Sequence, residues 1–427
     1  MNKRTITVFE YESIRVTDIN VDSLSRTELE ALQRHSGEDG VPYYSLIHNG
    51  VKFSEYVGVI QVGKLTIEVL PKIDRGSKEQ WKEILVDMLK KVGPFDVTST
   101  SETSLKVKRN NILDLYLEAF LNQVQIIMHQ GLLKKYGKVE ANSTSLKGKF
   151  LFQKHIVTNI VHKERFFVKY TTFDPNHLLN QLLYKTLHLI KMVNTNQTLS
   201  SRVNSLLLNF PEMPDIRVSE TTFEKIVYSR KNEHYRQSML ISRLLLLNYF
   251  PDINSGRNHV MAIMFDMNLL WERFVYQSLK KYIIGAQIEP QANKPYWKLS
   301  GKRSVNLRPD VIILKDGAKY VLDTKWKLPY GNKPSHADLQ QMYAYTKYFD
   351  SDHTILCYPG ADEDFIDGYF HNEGIAKGND YRCSVIRLKF DINQYDPQKF
   401  MAFWQMDIAE RINGYCGPKP PYNGDVF

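Results

Sequence analysis

Apolar and polar positions change period along this chain, and the changes divide it into three stretches. Up to about residue 75 the pattern is short and strand-like, over residues 5–9, 44–48, 56–62 and 65–70. The last two segments are joined by Gly63-Lys64, and glycine at the first turn position predicts a type II′ hairpin. Leu65, Ile67 and Val69 alternate with Thr66 and Glu68, the pattern of a strand buried on one face, and Pro71 ends it. Helical period takes over after a Ser/Thr-rich spacer over residues 97–104. Between 112 and 130 the apolar residues fall on one helical face through Leu115, Ala119, Phe120 and Ile127, with Gly131 as the stop. Further helices fit 178–193 and 236–249, and a strand-like piece lies around 148–152.

The turn-rich segment 251–256 opens the third stretch. Its pattern predicts a long helix over 260–282, strands over 296–327, a helix over 337–349, a strand over 354–358 and more strands near 384–390. Helix, hairpin, helix, strand is an α/β order. The expected architecture is therefore α/β multidomain: a β-rich N-terminal domain over 1–105, a mainly helical middle over 106–250 and an α/β domain over 251–427.

Charge narrows the class of partner. A formal net charge of +9 over 427 residues favours polyanions, among which phosphate backbones are the commonest. Cys357, Cys383 and Cys416 are far apart and lack metal-ligand spacing, so they read as reduced thiols of a cytosolic protein. The first ten residues carry no apolar stretch long enough for a signal peptide, and no run approaches the roughly 20 apolar residues of a membrane span. The expectation is a soluble, cytoplasmic chain without a membrane partner.

The chemistry concentrates in residues 307–327. Two β-rich runs flank Asp316-Gly317, one of the strongest short-range hairpin signals. If those two residues form the turn, Lys315 pairs with Ala318, and counting outwards sets Asp310 opposite Asp323. Directly opposed residues have Cβ atoms about 4.5–5.5 Å apart, and like charges there destabilise unless something compensates. A hard divalent cation compensates naturally, since Mg²⁺ is commonly held by one or two carboxylates plus water and phosphate. Lys325, two residues beyond Asp323, projects on the same face and can orient or help deprotonate an attacking water. Apolar Val311 to Leu314, with Val321 and Leu322, bury both faces of the hairpin, where Asp and Lys are rare unless paired or functional.

Pro309-Asp310, twelve residues, then Asp323-Thr324-Lys325 resembles the Pro-Asp…(Asp/Glu)-x-Lys pattern of many restriction enzymes. Glu272 lies mid-helix between Leu269 and Val275, so its carboxylate is expected to face apolar company, and it resembles the helix glutamate of that nuclease family. Gln341 and Tyr345 share a helix face, on a helix capped by Ser335 and Asp338, and resemble the Gln-x-x-x-Tyr pair that follows the nuclease hairpin in related families. Lys302, Arg303, Arg308 and Lys327 flank the acidic pair and suit a phosphate track.

The wider chain, through residues 58–74, Gly131-Leu132-Leu133-Lys134-Lys135-Tyr136, Leu146-Lys147-Gly148-Lys149 and Phe173-Asp174-Pro175-Asn176-His177-Leu178-Leu179-Asn180, is similar to the McrC family. The resemblance implies a PD-(D/E)xK restriction-endonuclease-like core at the C-terminal end. It implies the nuclease subunit of a 5-methylcytosine-dependent restriction system acting in phage defence. Asp310 and Asp323 would be its metal ligands, Lys325 and Glu272 its catalytic companions, Gln341 and Tyr345 their supports. Mg²⁺ is the implied cofactor, with Mn²⁺ as the alternative. Double-stranded DNA and an McrB-like AAA+ GTPase ring are the implied partners, the ring engaged by the N-terminal 1–105. The competing readings are a regulatory subunit that stimulates the GTPase without essential cleavage, and a stand-alone type II or repair nuclease. No nucleotide is expected on this chain itself: Gly58 to Lys64 imitates the start of a phosphate-binding loop, but Leu65 stands where Ser or Thr should meet magnesium.

Overall fold

The computed structural model describes residues 4–16, 23–72, 77–92, 112–251, 259–298, 300, 304–327, 333–360, 364–371, 381–389 and 400–416. The spacer over 97–104, most of the 251–256 turn, Lys302 and Arg303 lie outside these residues. The chain forms two compact units. One comprises Met1–Arg4, Gln61–Leu65 and Ser99–Ile263; the other comprises Thr5–Ile60, Thr66–Thr98 and Met264–Phe427.

In the first unit, helices Ile112–Gln130, Leu178–Val193, Gln197–Asn209 and Arg236–Leu247 share a core. The buried face of Ile112–Gln130 runs through Leu113, Tyr116, Leu117, Phe120, Leu121, Val124 and Ile127, so Leu115 and Ala119 sit at its margin, not on it as expected. The last helix stops at Leu247 because Tyr249 and Phe250 turn into a short strand opposite Met261 and Val260. Asn180 is fully buried and ties two of the sequence motifs together. Its amide donates to the carbonyls of Leu133 and Pro175, and its oxygen accepts from Tyr235 at 2.8 Å. A three-stranded sheet pairs Lys135–Ser143 and Lys149–Phe150 with the central Phe166–Asp174. Gly148 enters it at φ 70°, where an added Cβ would lie 2.4 Å from the Lys169 carbonyl oxygen, so no other residue fits. The strand expected around 148–152 ends at Phe150, and a short helix, Phe152–Thr158, begins immediately after.

The N-terminal residues, which apart from residues 1–4 and 61–65 belong to the second unit, form strands Arg4–Phe9, Leu65–Leu70 and Tyr56–Val62, successive neighbours in one sheet, and a separate three-stranded sheet of Ser13–Arg15, Gly50–Phe53 and Tyr44–Ile47. Gly63 has φ 56°, as a II′ turn requires. Residues 65–70 are buried on both faces, not one. The unexpected burial of Glu68 is compensated by Lys82, 2.8 Å away on the helix Lys78–Val92.

The larger sheet of this unit carries the acidic hairpin. Its order is Gln287–Pro290, Val311–Lys315, Ala318–Thr324, His353–Gly360, Tyr381–Lys389 and Asp364–Ile366, with Tyr369–Phe370 also on Tyr381–Lys389. The first three strands run antiparallel, then the next two join in parallel, which needs a crossover. Helix His336–Phe349 is that crossover, and it packs Met342, Tyr345 and Phe349 on Ile312, Val321, Leu356 and Tyr358. One sequence expectation fails here: 260–282 is not a single helix. Val260–Asp266 is a strand, as its unbroken apolar run permits, and the helix Met267–Tyr282 starts only where Asp266 accepts hydrogen bonds from the Asn268 and Leu269 amides.

Candidate functional site

The Asp316-Gly317 turn fixes the site. Both residues take left-handed backbone, φ 52° and 80°, which is the requirement of a type I′ turn. Lys315 pairs with Ala318, and the register runs without slip to Val311 opposite Leu322. Asp310 lies in the bend one step before the first paired residue and Asp323 one step after its partner, so the two come to the same end of the hairpin, as the count from the turn predicts. Alternation then puts both carboxylates on the face covered by His336–Phe349.

Asp310 is held by its neighbour across the pair. One of its oxygens accepts from the Thr324 amide at 2.6 Å and from the Thr324 hydroxyl at 2.7 Å. Asp323 is 1% exposed and meets the Lys325 ammonium at 2.6 Å. Lys325 also donates to Gln341 Oε1 at 3.1 Å, Gln341 donates to the Tyr345 hydroxyl at 2.7 Å, and Tyr345 donates to the Arg308 carbonyl at 3.0 Å. The Gln341 and Tyr345 pair, one turn apart, therefore connects the lysine to the backbone that precedes Asp310. Ser335 and Asp338 cap this helix reciprocally, as expected.

Glu272 joins from the helix Met267–Tyr282, but not in apolar company: Leu269 is exposed, and the carboxylate accepts from Gln291 Nε2 at 2.6 Å. Gln291 gives no sequence signal, yet it organises this side. Its backbone N–H donates to the Asp310 carbonyl at 3.0 Å and its side-chain oxygen accepts from the Arg308 guanidinium. It does so from φ 50°, a left-handed conformation that a non-glycine residue adopts at a cost, and such strain clusters at functional sites. Glu10 is the other residue the sequence reading missed. Buried at 4% exposure, it accepts from the Trp326 indole at 2.9 Å, next to Lys325, and burial pushes its carboxyl up to about 7.

The electrostatics are those of a site short of positive charge. Burial, then the charge of Asp310, pushes Asp323 up to about 7. Burial also raises Asp310, outweighing the Thr324 hydrogen bonds, and raises Glu272, which Asp310 pushes further. Burial works against the Lys325 ammonium, but Asp323 outweighs it and holds the lysine pKa above its ordinary value. Among the described residues no group of three His, Cys, Asp or Glu side chains is placed to hold a metal unaided. Two carboxylates at the same end of the hairpin nonetheless fit a hard cation that takes its remaining ligands from water and phosphate. Of the basic residues singled out, Arg308 is exposed at the site edge, while Lys327 is paired with Asp338 at 2.7 Å. The three cysteines are buried free thiols. Residues 58–64 are strand and turn leading into a second strand.

A sequence model described as McrBC 5-methylcytosine restriction system component matches residues 51–359. No curated protein matches the chain. Among solved structures, a chain from the refined half-complex of the tetradecameric assembly of Thermococcus gammatolerans McrB AAA+ hexamers with bound McrC aligns at TM-score 0.69, covering 96% of this chain and 100% of that one at 19% identity. A chain of the Thermococcus gammatolerans McrBC complex, determined by cryo-EM, aligns at TM-score 0.48 and 20% identity over 65% of this chain and 87% of that one. The family match spans well over half of the sequence, and the first alignment shows the same fold across nearly all of it. The chain belongs to the McrC family of McrBC 5-methylcytosine restriction system components.

Proposed function

We propose that this chain is the Mg²⁺-dependent DNA endonuclease subunit of an McrBC-like restriction system, built on a PD-(D/E)xK core. The observation that carries the reading is the meeting of acidic residues at the open end of the 311–324 hairpin, where the Asp310 carboxylate accepts from Thr324 and Lys325 meets Asp323 at 2.6 Å.

Asp310 and Asp323 would hold the cation. When bound, it supplies Lewis acidity that activates water and neutralises charge on the scissile phosphate. Lys325, kept protonated by Asp323 and aimed by Gln341, donates to the attacking water and to the phosphate oxygens. Glu272, steered by Gln291, supports the Asp310 side. Arg308 extends the positive charge towards the neighbouring DNA backbone.

The partner in this reading is an AAA+ GTPase ring that recognises the DNA and is stimulated by this subunit. The McrB hexamers of the related structure support that partner. The test is a cleavage assay with the partner, GTP and Mg²⁺ on methylated and unmethylated plasmid. Cutting that needs all three, and methylation, supports the reading. Cutting without the GTPase makes the chain a stand-alone nuclease, and stimulated GTP turnover with intact DNA makes it a regulatory subunit.

A further inference from the structure

Directly before Arg308-Pro309-Asp310 the chain makes a two-stranded ribbon, Lys294–Lys298 paired with Ser304–Leu307. It joins neither strand of the acidic hairpin and forms its own sheet. Trp297 stands opposite Val305, with Tyr296 bulged out of the pairing. One side of the ribbon base is fixed to the helix that carries Gln341 and Tyr345. Lys294 donates to the Tyr348 carbonyl at 2.8 Å and lies over the Phe349 ring, and Tyr296 meets Tyr348 edge-on at 5.2 Å. Among the described residues the Trp297 and Val305 pair remains open, 56% and 52% exposed, an apolar cross-strand pair.

The charge on this segment identifies what covers the pair. From 294 to 308 the sequence holds Lys294, Lys298, Lys302, Arg303 and Arg308 and neither Asp nor Glu. A protein-binding apolar patch has no need of such one-sided charge, whereas a phosphate backbone does. An exposed aromatic and β-branched pair with Lys298 next to it in the strand suits groove contact, and two-stranded ribbons are of a size to enter it. We infer that this ribbon, Lys294–Lys298 with Ser304–Leu307, is a duplex-DNA docking arm, with Trp297 and Val305 against the groove and Lys298 on the backbone at the end of the ribbon away from Asp310.

This rests on the endonuclease reading and specifies how that site holds its substrate. The test measures binding of the full chain to a fluorescent duplex by anisotropy, with Ca²⁺ in place of Mg²⁺ to prevent cutting. Trp297→Ala should weaken binding about tenfold, as truncation of an exposed aromatic anchor does, without changing its salt dependence. Lys298→Ala should instead lower the slope of log K against log salt by about one. Both variants should melt with the wild type, because neither side chain is buried. Trp297→Phe should recover most of the affinity. Unchanged affinity in Trp297→Ala overturns the docking arm while leaving the nuclease reading intact, provided wild type binds and cuts. Loss of GTPase binding in place of DNA binding also overturns it, and assigns the ribbon to a protein interface. Wild type that binds duplex but never cuts refutes the nuclease reading alone.

Discussion

Asp323→Asn should stabilise this protein, and the gain should depend on pH. The Asp323 carboxyl is buried at 1% exposure and raised from an ordinary 3.8 to about 7. The folded state thus binds this proton more tightly than the unfolded chain does. Stability is therefore fully present below about pH 4 and is lost progressively as pH rises to about 7, above which the loss is complete. At about 1.36 kcal/mol for each pH unit, that interval corresponds to a loss on the order of 4 kcal/mol. Asparagine copies the protonated carboxyl in shape and does not ionise. The variant and the wild type should accordingly unfold alike near pH 4, and the variant should pull ahead by several kcal/mol at pH 8. Urea titrations followed by tryptophan fluorescence at pH 4, 6 and 8 measure this. A variant that is less stable at pH 8, or a difference that does not change with pH, refutes the claim that Asp323 is held ionised against its surroundings.

The same imbalance predicts that Mg²⁺ at about ten times its Kd raises wild-type stability by about 1.4 kcal/mol at pH 8, with little effect on Asp323→Asn, as read by thermal melting. Gln291→Ala should release Glu272 and Arg308 and slow cleavage about tenfold. Gln291→Gly should be equally slow yet about 1 kcal/mol more stable than the alanine variant, because glycine accepts φ 50° without strain; equal melting of the two would contradict this. Tyr345→Phe removes the donor to the Arg308 carbonyl and should cost about 1–3 kcal/mol in urea unfolding, while a neutral result would mean water replaces the hydroxyl.

The hairpin was legible because its signals are local. Asp316-Gly317 demands left-handed backbone at two consecutive residues, and once the turn is placed, counting alone brings Asp310 and Asp323 to the same end of the hairpin. Helices Ile112–Gln130 and Leu178–Val193 were legible from period and stop signals. What failed did so where tertiary contacts override local pattern. Val260–Asp266 reads as helix beside Met267–Tyr282 because an apolar run has no period of its own, and only a sheet neighbour makes it a strand. Glu68 reads as solvent-facing because its partner, Lys82, comes from the next helix and not from its own strand. Gln291 and Glu10 were invisible for the same reason: each acts through partners remote in sequence, Glu272 for one and Trp326 for the other.

Lys325, held between Asp323 and Gln341, is the residue on which the proposed cutting of DNA turns. Lys325→Ala should be assembled with the GTPase partner, GTP, Mg²⁺ and methylated plasmid, and DNA cleavage and GTP turnover followed in the same tube. Cleavage should fall by at least about a hundredfold while stimulated GTP turnover stays at the wild-type rate. Cleavage at the wild-type rate by Lys325→Ala would contradict that role.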